Sequence, residues 1–176
     1  MPNQHTPLRS AITPIGPSIS YIPLTQGRYT LVDSDDATWL TQWNWCAQYR
    51  PRCGDWIAVR RESNSGGRTI FMHAAILGVR GRAITADHII PKNGLDNRRC
   101  NLRAANHSEQ ACNRYPSRNN SSGYKGVTFH TQNRTWRARV CLNGKVVYQS
   151  SHPTKERAAQ AYKEAATQWH GEFARI

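Results

Sequence analysis

Ala86-Asp87-His88-Ile89-Ile90 is followed, after a short loop, by Leu95-Asp96-Asn97-Arg98-Arg99-Cys100-Asn101-Leu102-Arg103. This stretch decides how the chain is read. It offers a carboxylate beside an imidazole and then an Asn-Leu-Arg, a compact set of groups for hydrolysing a phosphodiester with one hard cation. The Asp87 carboxylate can hold the cation. The His88 imidazole, with an ordinary pKa of about 6.5, can take a proton from water near neutral pH. The Asn101 amide can hold the ring in place. Arg98, Arg99 and Arg103 follow closely and can grip phosphate oxygens. Ala83 to His88 reads as a strand, and Asn101 to Asn113 as a helix with Leu102, Ala105 and Cys112 on its apolar side. Strand, loop and helix meeting at a metal is the minimal ββα-metal arrangement.

Upstream, residues 1–20 read as a flexible, Pro-rich tail with no apolar signal core. Residues 21–85 read as a small mixed unit. Tyr29 to Val32 suggests a strand, and Asp35 or Asp36 caps a short helix carrying Trp39, Leu40 and Trp43. Trp56 to Arg60 and Thr69 to Met72 suggest two strands around a Ser-Asn-Ser-Gly-Gly loop, and His73 to Leu77 a helical turn ended by Gly78.

Downstream, Tyr115 to Gly123 has the composition of a linker. Tyr124 to Phe129 suggests a strand. Thr135 to Leu142 alternates with period two, setting Trp136, Ala138, Val140 and Leu142 against Arg137, Arg139 and Cys141. Asn143-Gly144 is a strong type I′ hairpin turn, with Lys145 to Ser150 as the return strand. Thr154 caps a helix whose Ala158, Ala159, Ala161, Tyr162, Ala165, Ala166 and Trp169 recur at helical spacing, and Gly171 ends it. The fold class expected is α+β. A ββα-metal core at about residues 83–115 sits inside a domain spanning 21–115. A linker at 116–123 leads to a three-stranded antiparallel sheet packed on one helix at 124–176.

Composition agrees with a polyanionic partner. Across 176 residues, 24 Lys and Arg outnumber 11 Asp and Glu, a formal net charge of +13, which favours phosphate contacts and counterion release. Residues 116–176 alone hold ten Lys and Arg against three Glu. Six Trp and seven Tyr supply cores and argue against wholesale disorder. No apolar run is long enough to span a bilayer, and a cytoplasmic location is expected. The five cysteines include no CxxC pair, so reduced thiols are expected and a structural zinc is not.

At this point the chain resembles a known combination. Asp87-His88 and Asn101-Leu102-Arg103 resemble an HNH nuclease. Tyr124-Lys125-Gly126-Val127, Trp136, Asn143-Gly144-Lys145, Ala158-Ala159-Gln160-Ala161-Tyr162 and Gly171-Glu172-Phe173-Ala174 resemble the plant APETALA/ethylene-response-factor DNA-binding domain. Together, over residues 21–176, they resemble the HNH endonucleases of phages and mobile elements that carry such a domain. The resemblance implies a metal-dependent DNA endonuclease using Mg²⁺ or Mn²⁺, with Asp87 as metal ligand, His88 as general base and Asn101 as the group that orients it, through the backbone or the imidazole.

The family's last HNH position, nine residues after Asn101, is usually His or Asn. Here it is Gln110. The second metal ligand is therefore open between Gln110, His107 and Asn113. Lys125, Arg134, Arg137, Arg139 and Lys145, with Tyr148 beside them, are expected to face duplex DNA. No membrane, no small-molecule cofactor and a monomeric state are expected. The rival reading is a DNA-binding regulator with a decayed HNH centre, which Gln110 keeps open.

Overall fold

The computed structural model describes residues 18–51, 53–62, 67–81, 83–117 and 119–176. The class is mixed α+β, built, among the described residues, from small antiparallel sheets and four short to medium helices. Two compact units divide the chain, residues 1–104 and 105–176.

In the first unit, β1 (Ile19–Pro23) pairs antiparallel with β2 (Tyr29–Asp33). Residues 18–20 are thus ordered rather than part of a floppy tail; the remainder of that tail lies outside the described residues. The α1 helix (Ser34–Leu40) starts after Asp33, not at Asp35 or Asp36, and stops before Trp43. Those two carboxylates enter its first turn, where the helix dipole favours them. Next come β3 (Cys46–Arg50), β4 (Asp55–Arg61) and β5 (Thr69–Phe71), an antiparallel sheet in that order. β1 and β3 carry little local signal and were not expected from the sequence. The Ser-Asn-Ser-Gly-Gly loop lies, all but its last glycine, outside the described residues. The short α2 (Met72–Ile76) follows β5 directly. Ile22, Leu24, Val32, Leu40, Trp45, Ala58, Met72 and Ile76 close the unit's apolar core.

The helix expected over Asn101 to Asn113 is only half there. Residues Arg99–Asn101 form a 3-10 turn, β7 (Leu102–Asn106) pairs with β6 (Ile84–His88), and α3 (His107–Asn113) begins only then. Asn106 decides the switch. Its side chain accepts from the Glu109 amide at 3.0 Å, and the Glu109 carboxylate accepts from the Asn106 amide at 2.7 Å. This capping box marks the helix start. Leu102 and Ala105 are both buried although their spacing puts them on opposite faces of a strand, and pairing with β6 wins over the helical pattern.

The second unit follows the sequence more closely. β8 (Val127–His130), β9 (Thr135–Leu142) and β10 (Lys145–His152) form a sheet in the order β10-β9-β8. Asn143 and Gly144 take φ +50° and +75°, as a type I′ turn requires. The α4 helix (Lys155–His170) is capped by Thr154, whose hydroxyl accepts from the Arg157 amide at 3.3 Å. Ala158, Tyr162, Ala165 and Ala166 bury against Val127, Ala138 and Val140. Trp169, expected on that side, is 43% exposed. Small alanines let the helix lie close, and Gly126 lets the chain pass the Tyr162 ring: it takes φ +67°, and a Cβ there would meet Tyr162 Cε2 at 2.1 Å. Among the described residues no helix is long and apolar enough to cross a membrane.

Candidate functional site

His88 ends β6 and is buried. What fixes its ring is a chain of hydrogen bonds starting 58 residues upstream. The Thr30 hydroxyl of β2 donates to the Leu95 carbonyl at 2.7 Å. Its oxygen accepts from the Asn97 amide nitrogen at 2.7 Å. The Asn97 carbonyl oxygen then lies 3.1 Å from His88 Nε2. Each step sets the sense of the next. Thr30 must donate to a carbonyl, so Asn97 must donate to Thr30, so the Asn97 oxygen must accept from the imidazole. Nε2 therefore carries the hydrogen, and Nδ1 is the basic nitrogen of the neutral ring.

The loop that supplies Asn97 is sutured to β2 by a parallel bridge. The Leu31 amide donates to Leu95 O at 2.9 Å, and the Asn97 amide donates to Leu31 O at 2.8 Å. Of the two routes expected for Asn101, the backbone or the imidazole, the structure shows the backbone one, while Asn97 is the residue that contacts the ring. Asn101 accepts from the Ile90 amide at 3.0 Å and donates to Asp96 O at 2.9 Å, while its own carbonyl accepts from the Ile89 amide at 2.8 Å. It pins the two ends of the loop after His88 together, and so acts on His88 through the backbone. Asn97 carried no sequence signal for this role, because its partners are remote in the chain.

Burial pushes the His88 pKa down. The Arg50 charge adds to this, while the Asn97 hydrogen bond and the Asp87 and Asp55 charges oppose it. His73 of α2 stands against it with ring centroids 4.8 Å apart, and burial pushes its pKa to about 3, helped by His88 and Arg50. Both rings are therefore neutral near pH 7. His73 thus forms one wall beside the His88 ring.

Asp87 precedes His88 and sits on the opposite face of β6, its carboxylate 3.6 Å from Arg103 Nη2. Arg98 makes a bidentate pair with Asp96, at 2.8 and 2.6 Å. Burial raises the Asp96 carboxyl, but hydrogen bonds from Arg98 outweigh it and hold its pKa below the ordinary value. Arg99 makes a second bidentate pair, with Asp36, both bonds 2.8 Å. The three arginines expected to grip phosphate are thus engaged within the protein, two of them bracing the loop. Gln110 and His107 lie on α3, in the second unit. Among the described residues no three His, Cys, Asp or Glu side chains cluster as a ready-made metal site.

The second unit presents a basic sheet face. Thr128 lies opposite Arg137, Arg137 opposite Ser151 and Arg139 opposite Gln149, all on the side away from α4. Arg134 and Lys145 are exposed at the two hairpin turns. Two expected members are elsewhere. A bulge at Val146–Tyr148 shifts the register, so Tyr148 pairs with Val140 and packs on the helix side. Lys125 turns inward, its ammonium donating to the Cys112 carbonyl at the end of α3, and burial pushes its pKa to about 8.

No family model matches the sequence, and no solved structure matches it at a meaningful level.

Proposed function

We propose that the protein is a metal-dependent endonuclease that hydrolyses a DNA phosphodiester at His88, with the basic sheet of the second unit holding the duplex. The observation that carries this reading is the tautomer lock on His88. A buried, neutral imidazole with Nε2 committed to Asn97 has its basic nitrogen defined, as a general base for water requires. The adjacent Asp87 supplies a hard oxygen donor of the kind Mg²⁺ or Mn²⁺ takes. With one protein carboxylate, a cation there would rely on phosphate and water oxygens for the rest of its shell. Bound, it would neutralise charge on the phosphate and the leaving oxygen. Gln110 and His107 are not needed for this reading.

In the reaction, His88 Nδ1 accepts the proton of the attacking water. Asn97 holds the ring as it becomes charged, since its carbonyl oxygen favours the protonated form. On the second unit, Arg137 and Arg139 supply guanidinium groups on a sheet face, an arrangement that can read base edges and phosphates in a major groove. The reading accords with the combination of HNH centre and APETALA/ethylene-response-factor-like module that the sequence resembles.

The test is conversion of supercoiled plasmid to open-circle or linear DNA in Mg²⁺, Mn²⁺ or EDTA, wild type beside His88→Ala. Metal-dependent cutting lost in the variant, with duplex binding retained, is expected. Tight binding without any cutting by the wild type would instead favour a DNA-binding regulator.

A further inference from the structure

We propose that Arg50, on the β3–β4 hairpin, grips the scissile phosphodiester beside His88. This rests on the endonuclease reading and extends it to a residue with no motif of its own.

Arg50 ends β3 and lies directly across from Asp55, which opens β4. Its Nε donates to Asp55 Oδ1 at 2.9 Å and its Nη2 to Oδ2 at 2.5 Å. The Asp55 side chain is 4% exposed, while that of Arg50 is 34% exposed. Asp55 therefore serves as a buried anchor, and the guanidinium is held rigid at a surface. The anchor leaves the Nη1 amino group and the second Nη2 hydrogen for another acceptor. A phosphodiester has two non-bridging oxygens at the spacing of such a fork.

The loop that follows His88 lies against this same anchor. An ideal Cβ on Gly94 would stand 2.9 Å from Asp55 Oδ2, 2.9 Å from Ile57 Cγ2 and 2.5 Å from Trp56 O. Only glycine allows the backbone to pass there. The loop then runs through Leu95 and Asp96 to Asn97, which holds the imidazole. So one short piece of chain ties the His88 ring to the hairpin end that carries Arg50.

The electrostatics agree. The Arg50 charge acts on both His73 and His88 and disfavours protonation of each. The arginines of the loop differ. Arg98 braces Asp96 within the loop, Arg99 is committed to Asp36 of α1, and Arg103 lies against Asp87 with only 9% of its side chain exposed.

The experiment is single-turnover cleavage of plasmid DNA at saturating protein with Mg²⁺, comparing wild type, His88→Ala, Arg50→Ala, Arg50→Lys and the pair Arg50→Ala/Asp55→Asn. The double variant removes the buried carboxylate that the single one strands, which guards against a folding artefact. Arg50→Ala and the double variant are expected to slow cleavage about 100-fold or more, with duplex affinity within about threefold of wild type. Added guanidinium ion is expected to restore part of the rate, and lysine to restore less than arginine. A double variant that cuts within about threefold of wild type, or a slow one that guanidinium does not help, overturns the proposal. If the wild type itself fails to cut DNA, this inference falls together with the endonuclease reading. Failure of Arg50 alone leaves that reading standing.

Discussion

The two units bury different kinds of group. The first places Thr30, Asp36, Asp55, His88, Asp96, Asn97 and Asn101 out of water, each held by hydrogen bonds to another part of the chain. The second buries mainly alanine, valine and Tyr162 between one helix and one sheet. Polar groups in an interior return little net stability even when satisfied, and cost heavily when one partner is lost. What they give is a single geometry. On that comparison the first unit's interior is organised around the orientation of one imidazole, and the second unit's interior around presenting a flat charged face.

The largest expected effects break the two units in different ways. His88→Ala should reduce cleavage by about 10²- to 10⁴-fold, the usual worth of a general base, while duplex binding stays near wild type. Gly126→Ala should do the reverse. Its positive φ and the Tyr162 ring in the space of the new Cβ should destabilise the second unit by roughly 3 kcal/mol or more. Duplex binding should weaken with it, as read by urea titration and gel shift. A stable Gly126→Ala would mean that the helix does not sit on the sheet as closely as described.

Next in size is Asn97→Ala. It strands Nε2–H of His88 and leaves the Thr30 oxygen without its donor, so a cost of about 1–3 kcal/mol is expected. A slower cleavage rate should accompany it, because the ring loses its tautomer. Asn101→Ala should cost similar stability by releasing the loop ends. If Asn101→Ala slows cutting and Asn97→Ala does not, the assignment of the ring to Asn97 is wrong.

Much of this was legible where the information is local. Asn143-Gly144 and the period-two pattern of Thr135 to Leu142 need only their neighbours, and both took the expected form. Tyr148 was misplaced by one bulge: in an unbroken register it would pair with Arg139 and face outward, but the extra residue brings it opposite Val140. The role of Asn97 depends on a bridge between Leu31 and Asp96 and on Thr30, so no window around Asn97 contains it. Asp87 and His88 carried the sequence signal for the proposed chemistry. Its supports, Thr30, Asp55 and His73, are ordinary residues that only the fold brings together.

Acid and alkali should separate the units further. In the first, burial lowers the His73 and His88 pKa values. Below about pH 6.5 the unfolded chain takes up protons that the folded unit resists, so its stability should fall as pH drops from there toward the His73 value of about 3. In the second, Lys125 is lowered to about 8. Between there and about 10.4 the unfolded lysine holds a proton that the folded one has released, so this unit should gain stability as pH rises through that window. Hydrogen exchange resolved residue by residue would show both trends. A first unit indifferent to pH 5 would remove the argument that its imidazoles are kept neutral by burial.

The smallest effect tests how the chain passes from strand to helix. Asn106→Ala removes one half of the capping box with Glu109, which should cost about 1 kcal/mol. Local sequence does not oppose a longer helix, since Leu102, Arg103, Ala104 and Ala105 all have good helix propensity. Pairing with β6 therefore has to hold these residues extended, and the cap has to start α3 no earlier than His107. Without the cap, α3 should fray at its first turn while β7 remains, seen as lost amide protection at Glu109 and Gln110 and retained protection in the strand. If β7 instead converts to helix in Asn106→Ala, the capping box holds the strand in place, and the geometry of the His88 loop depends on it through Asn101.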